Sequence, residues 1–375
     1  MRTSKINKGV MMAFMAIGLF LLVPLMGQVE SGKTKVPRNV ILMIGDGMGV
    51  SQLSAAYYFG EEKKKEQEPS FSRFSYIGLA RTSSGSEPVT QSPAAATAIA
   101  TGYKTYNMAV GVDLDTVVRE NIVELLSKQG FMTGVIATSH ITDATPAGFY
   151  AHQPERYMQK EIAQDLLKSE IDFFAGGGFS YFLDTTGHNG FEEHGIQVDF
   201  SKLKKIRKPE PGERYGFLLA AERMPTMREG RKDFLSKSTS IAVDFLSTGE
   251  SGYFLMVEGS QIDWAGHGNN VQYMITEVND FEQTVGHVLD YADKNGETLV
   301  IVTADHETGG FTLGAAGNNN DDTADYTIIE PTFATTNHSA ALVPVLAYGP
   351  GAENFIGIYE NTEIFHKLVS LLISK

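Results

Sequence analysis

Six short runs along the chain are rich in β-branched and other apolar residues, and most are apolar throughout rather than alternating with polar residues. Continuous apolar runs of this length are typical of strands that are buried on both faces, as in a largely parallel sheet. The runs that predict strands are Asn39–Ile44, Ile77–Thr82, Thr133–Thr138, Tyr253–Val257, Thr298–Thr303 and Leu342–Tyr348.

Amphipathic stretches between these runs predict helices. Glu120–Gln129 places its apolar residues on one stripe, and Gly130 follows as a stop signal. Glu277–Lys294 is a second helical stretch. Because strand and helix patterns alternate, the sequence predicts an α/β fold with a mostly parallel central sheet that helices cover on both faces.

A basic region and a long apolar run precede the first predicted strand. Basic residues within the first eight positions are followed by the uninterrupted apolar run Val10–Met26. This order predicts a secretory signal peptide at residues 1–27, although the run is long enough to be an uncleaved membrane anchor instead. The chain has no cysteine, which excludes disulfides, thiol catalysis and cysteine metal sites. Together these features predict an exported, periplasmic protein whose residues 28–375 form a single domain.

The formal net charge of -14 argues against a broad surface for nucleic acids or anionic membranes. A small anionic substrate is compatible with this charge, because a bound metal or an arginine reverses the local field. Two polar stretches, near residues 180–235 and 314–330, predict loop insertions. The first contains the basic run Lys202–Lys208, and the second contains Asn318–Asp322. Runs of this kind are usually solvated, so we expect both stretches to be exposed loops.

Acidic and polar side chains follow four of the predicted strands at their carboxyl ends. In open parallel sheets, ligands bind at that edge. Any one of these residues can instead be an aspartate of an ordinary turn, but four strands that end in this way favour a site. The residues are Asp46, Asp143, Thr145, Glu258, Asp305 and His306.

Histidines near these carboxylates suggest a metal site. Asp263 and His267 are spaced i, i+4, so on a helix they share one face and can chelate one ion, although an ordinary surface pair has the same spacing. His338 lies in a later polar turn. Without cysteine, zinc must be held by histidine and carboxylate, which is typical of catalytic zinc sites. Glu258 and Thr145 offer hard oxygen ligands, which suit magnesium better.

Ser92 is the candidate nucleophile. It precedes Pro93 and an alanine-rich run that ends at Gly102, so the segment predicts a helix with Ser92 as its N-cap. An N-cap serine needs no further role. The same geometry also suits a functional role, because a helix N-terminus attracts a phosphate through its free amides and dipole.

Several motifs resemble those of the alkaline phosphatase family, and they occur in the family's order between residues 40 and 350. Val40–Gly49 is similar to the family's opening motif, and Gln91–Ala98 is similar to its nucleophile motif. The remaining blocks are Asp143–Ala147, Tyr150–Arg156, Val257–His267, Thr303–Gly310 and Asn337–Ser339. The short chain most resembles the compact bacterial members, including cold-adapted ones. The resemblance implies the fold of that family, with loop insertions.

The resemblance also implies two Zn²⁺ ions and one Mg²⁺ ion, held by residues from most of these blocks. The implied zinc ligands are Asp263, His267 and His338 for the first ion, and Asp46, Asp305, His306 and the Ser92 oxygen for the second. The implied magnesium ligands are Asp46, Thr145 and Glu258, with Asp143 in the water shell. Arg156 would bind two phosphate oxygens, and His152 is assigned a structural role.

These roles imply an alkaline phosphatase, a hydrolase that cleaves phosphate monoesters through a phosphoserine on Ser92 and releases inorganic phosphate and an alcohol. Inorganic phosphate is expected to be a product inhibitor, and a homodimer is expected. Phosphodiesterases, phosphomutases and sulfatases share the metal architecture, but the C/S-x-P-x-R context that sulfatases need is absent at Ser92. A metal- or phosphate-binding protein without turnover is the non-enzymatic alternative.

Two residues beside Ser92 depart from the family pattern. Gln91 stands where the family usually has an aspartate that supports the arginine, so we expect a looser Arg156 and weaker inhibition by phosphate. Pro93 replaces a small residue and lacks an N–H group that phosphate could use. The sequence does not distinguish packing from a role near the substrate for Trp264.

Overall fold

The structure, a computed structural model, describes residues 36–60, 68–210, 212–317 and 323–373. The predicted signal peptide lies outside these residues. The described strands are β1 Asn39–Gly45, β2 Tyr76–Arg81, β3 Met132–His140, β4 Phe173–Gly177, β5 Ile196–Asp199, β6 Arg214–Leu218, β7 Tyr253–Gly259, β8 Thr298–Thr303, β9 Glu307–Thr308, β10 Phe311–Ala316, β11 Asp325–Phe333, β12 His338–Ser339, β13 Val343–Tyr348 and β14 Gly357–Glu360.

Ten of these strands form one sheet in the order β14-β2-β13-β8-β1-β7-β3-β4-β6-β5. Every neighbouring pair is parallel except the two that involve β13, which runs antiparallel to β2 and β8. The central strands β1, β7 and β8 are buried along their whole length. These features confirm the predicted α/β class with a mostly parallel sheet.

Helices pack against this sheet in two groups. The described helices are α1 Val50–Tyr58, α2 Ser92–Thr101, α3 Ile122–Ser127, α4 Ala144–Ala147, α5 Gln159–Lys168, α6 Phe234–Leu246, α7 Gln261–His267, α8 Val271–Asn295 and α9 Thr362–Leu372. α6 and α8 pack on each other and over the central strands, whereas α2 packs with α3, α4 and α9. Within the described ranges, no helix has both the length and the apolar character needed to cross a bilayer.

The six predicted strands all exist, and their ends differ from the predicted ones by no more than two residues. The expectation of loops throughout the two polar stretches is wrong. The first stretch contributes β5 and β6 to the central sheet, because residues 216–218 are buried against β4. The second contains the antiparallel pair β10 and β11. The basic run Lys202–Lys208 forms no regular element, as expected, whereas Asn318–Asp322 lies outside the described residues.

The helix that carries Ser92 begins one residue earlier than the sequence predicts. Gln91 has the extended backbone of an N-cap, Ser92 is the first helical residue, and Pro93 follows within the first turn. Gly102 ends the helix in the left-handed conformation, with φ 77°, as its position after the alanine-rich run predicts. The hydroxyl of Ser92 is therefore free of the capping role that the sequence offered as the alternative.

Candidate active site

The polar residues predicted to share one sheet edge do lie together, because their strands are neighbours. The order β8-β1-β7-β3 places Asp305, Asp46, Glu258 and Asp143 side by side at the carboxyl ends. The backbone fixes one of them directly, since the N–H groups of Gly47 and His306 donate to Oδ1 of Asp305 at 3.1 and 2.9 Å. The site is thus built on the most buried part of the sheet.

One group of ligand atoms forms around Nε2 of His306. This atom lies 3.1 Å from Oδ2 of Asp305, 3.6 Å from Oδ1 of Asp46 and 3.2 Å from Oγ of Ser92. Asp46, Asp305 and His306 each offer a ligand atom, and these atoms lie within 4.8 Å of one another, close enough to hold a single cation. Ser92 is the first residue of α2, and this position places its hydroxyl beside the group.

A second group forms around Asp263 on α7. Nε2 of His267 lies 3.4 Å from Oδ2 of Asp263, and Nε2 of His338 lies 3.5 Å from Oδ1. The i, i+4 spacing on a helix therefore does bring Asp263 and His267 together. A ligand atom of His306 also lies within 4.8 Å of ligand atoms of Asp263 and His338. The two groups are therefore neighbours, with His306 between them.

The Nε2 atoms of the two outer histidines face each other. Nδ1 of His267 contacts the Thr336 carbonyl at 2.6 Å, and Nδ1 of His338 contacts the Thr90 carbonyl at 2.8 Å. A carbonyl only accepts, so in each ring Nδ1 carries a proton. Burial and the charge of His306 lower the pKa of His338 to about 3, which keeps that ring neutral. The two Nε2 atoms lie 3.1 Å apart, an arrangement that a cation between them would stabilise.

One oxygen of each carboxylate in the first group lacks a hydrogen-bond partner among the described residues. Oδ1 of Asp46 and Oδ2 of Asp305 are buried and accept no hydrogen bond from any described residue. Burial and the neighbouring charges of Asp305 and Asp263 raise the pKa of Asp46 well above its ordinary value. Burial and Asp143 likewise raise the pKa of Glu258 to about 8. Negative charge this concentrated fits divalent cations, which would satisfy the orphaned oxygens.

Hard oxygen donors meet on the other side of Asp46. Oγ1 of Thr145 lies 3.5 Å from Oδ2 of Asp46, and Glu258 accepts a 2.7 Å hydrogen bond from Ser260. Thr145 lies in the first turn of α4, directly after the loop that follows β3. These oxygen-only ligands suit magnesium more than zinc.

Arg156 lies next to this site and is held by one carboxylate. Its NH2 group donates to Oδ1 of Asp143 at 2.9 Å. The Gln91 side chain makes no hydrogen bond with Arg156 within the described part of the chain, and the Gln91 backbone N–H donates to Asn107 instead. His152 is hydrogen bonded to the Gly111 carbonyl and to Glu124, which supports the structural role expected for it.

Thr308 is a residue of the site that the sequence did not single out. Its hydroxyl donates to Oδ1 of Asp263 and lies 3.1 Å from Nδ1 of His306, so it fixes one side chain from each group. Strand β9 pairs with β12 so that Thr308 stands opposite His338. The sequence signal that could have identified Thr308 was its position within Thr303–Gly310, one of the blocks that resemble the family's motifs.

Comparisons with known proteins agree with this geometry. The family model described as alkaline phosphatase matches residues 37–217 and 216–331. Alkaline phosphatase 3 of Bacillus subtilis is 34% identical over 413 residues, covering 89% of each chain, and the alkaline phosphatase of Escherichia coli is 29% identical over 416 residues, covering 92% of this chain and 88% of its own. The chain therefore belongs to the alkaline phosphatase family.

Among solved structures, the chain is similar to bacterial alkaline phosphatases that include a cold-active member. The alkaline phosphatase from the Antarctic bacterium TAB5 has a TM-score of 0.86 and 49% identity, covering 91% of this chain and 99% of its own. The cold-active enzyme from Shewanella sp. has a TM-score of 0.80 and 32% identity, covering 89% and 99%. A variant of the TAB5 enzyme holds Mg in its M3 site. The protein is accordingly an alkaline phosphatase, a hydrolase of phosphate monoesters, and it is similar to cold-active bacterial members.

Proposed function

We propose that the protein hydrolyses phosphate monoesters through a phosphoserine on Ser92, with two Zn²⁺ ions and one Mg²⁺ ion. The observation that carries this proposal is the meeting of Ser92 Oγ with Nε2 of His306, beside the unpartnered oxygens of Asp46 and Asp305. A serine needs activation to act as a nucleophile, and metal coordination is one way to supply it.

The two groups of ligand atoms suggest how the ions are held. The proposed zinc ligands are Asp263, His267 and His338 for one ion, and Asp46, Asp305, His306 and Ser92 for the other. The proposed magnesium ligands are Asp46, Thr145 and Glu258, with Asp143 near the ion's waters. The magnesium bound by the TAB5 variant supports this third site.

The bound ions would lower the pKa of Ser92 and stabilise the departing alcohol oxygen. Arg156 would bind two oxygens of the phosphoryl group and orient it toward Ser92. Ser92 Oγ then forms a bond to phosphorus while the bond to the alcohol oxygen breaks. Water attacks the phosphoserine next, which releases inorganic phosphate and restores Ser92. Because free phosphate fits the same contacts, it is proposed to inhibit as a product.

The assembly and location of the enzyme are also proposals. The order of basic and apolar residues before position 28 supports removal of a signal peptide at residues 1–27 and export to the periplasm. Residues 28–375 would then form a single catalytic domain, with insertions near 180–235 and 314–330. We propose a homodimer on the strength of the family resemblance.

Hydrolysis of p-nitrophenyl phosphate at alkaline pH tests the proposed function. The mature chain is assayed as isolated, after EDTA dialysis, and after zinc and magnesium are restored, with Ser92→Ala as the control. We expect activity that EDTA abolishes, that both metals together restore, and that Ser92→Ala lacks. Absence of activity in the fully metallated chain would instead favour a binding protein on a phosphatase fold.

A further inference from the structure

The stretch that the sequence predicted to be a solvated loop reaches the edge of the active site. After β6, the chain turns over the carboxyl end of β4, where the N–H groups of Gly178 and Phe179 donate to the Ala220 carbonyl. A Cβ atom on Gly177 would lie only 2.0 Å from the Glu222 carbonyl oxygen. Glycine at this position therefore lets two backbone segments touch, directly beside β3 and its active-site residues.

Tyr181 connects this segment to the phosphate-binding side of the site. Its ring packs against the His140 ring with centroids 5.0 Å apart, and Nε2 of His140 lies 3.7 Å from Oδ2 of Asp143. The other oxygen of that carboxylate binds Arg156. Burial and the charges of Glu222 and Asp143 raise the pKa of Tyr181, as expected for a phenol that lies between the loop and the site.

Arg223 connects the same segment to the metal-binding helix. Its guanidinium carbon lies 6.0 Å from the centre of the Trp264 ring. Trp264 directly follows Asp263 on α7, so it lies next to the second group of ligand atoms. Tyr181 therefore lies on the Asp143 side of the site, and the paired Arg223 and Trp264 lie on the Asp263 side; we call these three side chains the wall.

The wall is anchored firmly behind the site. The Met227 N–H donates to Glu277 at 2.9 Å, and Arg231 donates to the Pro225 carbonyl at 3.1 Å. Arg231 is itself buried in ion pairs with Glu277 and Asp280. Gln261 adds a 2.9 Å hydrogen bond to the Met224 carbonyl. Such a wall is pre-organised, so a ligand that contacts it does not have to order it first.

The chemistry of the wall favours flat groups over charged ones. Both terminal nitrogens of Arg223 bind Glu229, at 2.9 and 3.2 Å, so the guanidinium charge is already balanced. What remains accessible is a planar guanidinium beside the partly buried Trp264 ring, with the partly buried Tyr181 ring on the Asp143 side of the site. We propose that Tyr181, Arg223 and Trp264 form a subsite for the leaving group, one that favours planar aromatic leaving groups over aliphatic ones. This inference rests on the proposed function, because it supplies a position for the alcohol part of the ester.

Two substrates measured on the same preparation test the subsite. kcat/KM is determined for 2-naphthyl phosphate and for glycerol 2-phosphate, and their ratio is compared between the native protein and the variants Arg223→Met, Trp264→Leu and Tyr181→Leu. The ratio does not depend on the fraction of folded enzyme, so a partly unstable variant still gives an answer. Arg207→Met is the matched control, because Arg207 pairs with a glutamate in the same stretch but far along the chain from the wall.

We expect each wall variant to lower the ratio about 3- to 10-fold, the range for losing one aromatic or cation–π contact, whereas Arg207→Met leaves it unchanged. An unchanged ratio in all three wall variants would overturn the subsite, as would equal losses for both substrates. If the native, metallated protein hydrolyses neither ester, the proposed function itself fails, and that result is distinct from an unchanged ratio.

Discussion

Two buried groups of charged side chains in this protein are balanced in different ways. In the anchor behind the wall, Arg231 faces Glu277 and Asp280, and the side chains are only 1%, 2% and 6% exposed. In the active site, four carboxylates meet beside a single arginine, Arg156, which binds Asp143, and one oxygen each of Asp46 and Asp305 accepts no hydrogen bond within the described residues.

The difference indicates that the anchor contributes to stability, whereas the active-site group serves to bind cations. Burying a charge is costly unless a partner lies close, and the anchor supplies that partner from the chain itself. The active site meets the cost only in part, through Arg156 and His306, and a bound cation would meet the rest. A buried carboxylate without a partner therefore indicates a cation site more clearly than a buried ion pair does.

The largest expected effect comes from removing a charge at the active site. Asp46→Asn should lower kcat by about 1,000-fold, the scale of losing one pre-organised electrostatic contact in a catalytic site. In EDTA, the same variant should melt at a higher temperature than the native chain, because burial and the neighbouring carboxylates disfavour the charged form of Asp46. Activity assays and thermal melting check the two effects. A melting temperature that falls in EDTA would show that Asp46 is already balanced.

The opposite change in the anchor should cost stability. Arg231→Met leaves Glu277 and Asp280 buried without a partner, so we expect the free energy of unfolding to fall by about 3–5 kcal/mol. Urea titration of the metallated protein measures it. The triple variant Arg231→Met, Glu277→Leu, Asp280→Leu removes all three charges and should be more stable than Arg231→Met alone. If the triple variant is the weaker one, the comparison of the two groups fails.

A smaller effect is expected from pH in the metal-free protein. The pKa of Glu258 rises from 4.5 to about 8 on folding, chiefly through burial. The folded state therefore holds a proton that the unfolded state has lost, and stability falls as pH rises between these two values, by at most about 1.4 kcal/mol per pH unit for this group. Urea titrations in EDTA at pH 5 and pH 8 measure the slope. Glu258→Gln should flatten it, and an equal slope in that variant would assign the effect elsewhere.

The smallest effect concerns Gln91, where the family usually has a charge. Asp143 holds Arg156 alone among the described residues, so Gln91→Asp should add a second carboxylate and tighten inhibition by phosphate about 2- to 5-fold. The phosphate inhibition constant measures this effect. Gln91→Asn is the control and should leave the constant as it is. No tightening in Gln91→Asp would show that the arginine is not loose.

The sequence predicted the centre of the fold better than its edges. β1, β7 and β8 are buried on both faces, so their sequences are almost continuously apolar. A run of this kind can be recognised from a short stretch of sequence alone. β5 is the edge strand and β6 lies next to it; they are four and five residues long, and each mixes buried with partly exposed or exposed positions. A short, partly exposed strand has no periodicity that distinguishes it from a polar loop.

The site shows a similar limit. Strand ends and the i, i+4 spacing identified Asp46, Asp305 and the Asp263–His267 pair, since each of these signals is local. The bridging role of Thr308 and the approach of Arg223 to Trp264 depend on segments that meet only after folding. The assignment of Ser92 as an N-cap failed by one residue, which is the ordinary uncertainty of a helix end.

The side chains proposed to hold one of the zinc ions come from positions as distant as Asp46 and His306. A cation held there would join segments that are about 260 residues apart, and closing a loop of that length removes much of the freedom of the unfolded chain. A chain without a single cysteine would thereby gain reversible cross-links. Zinc supply would then govern how long the enzyme survives as well as how fast it turns over.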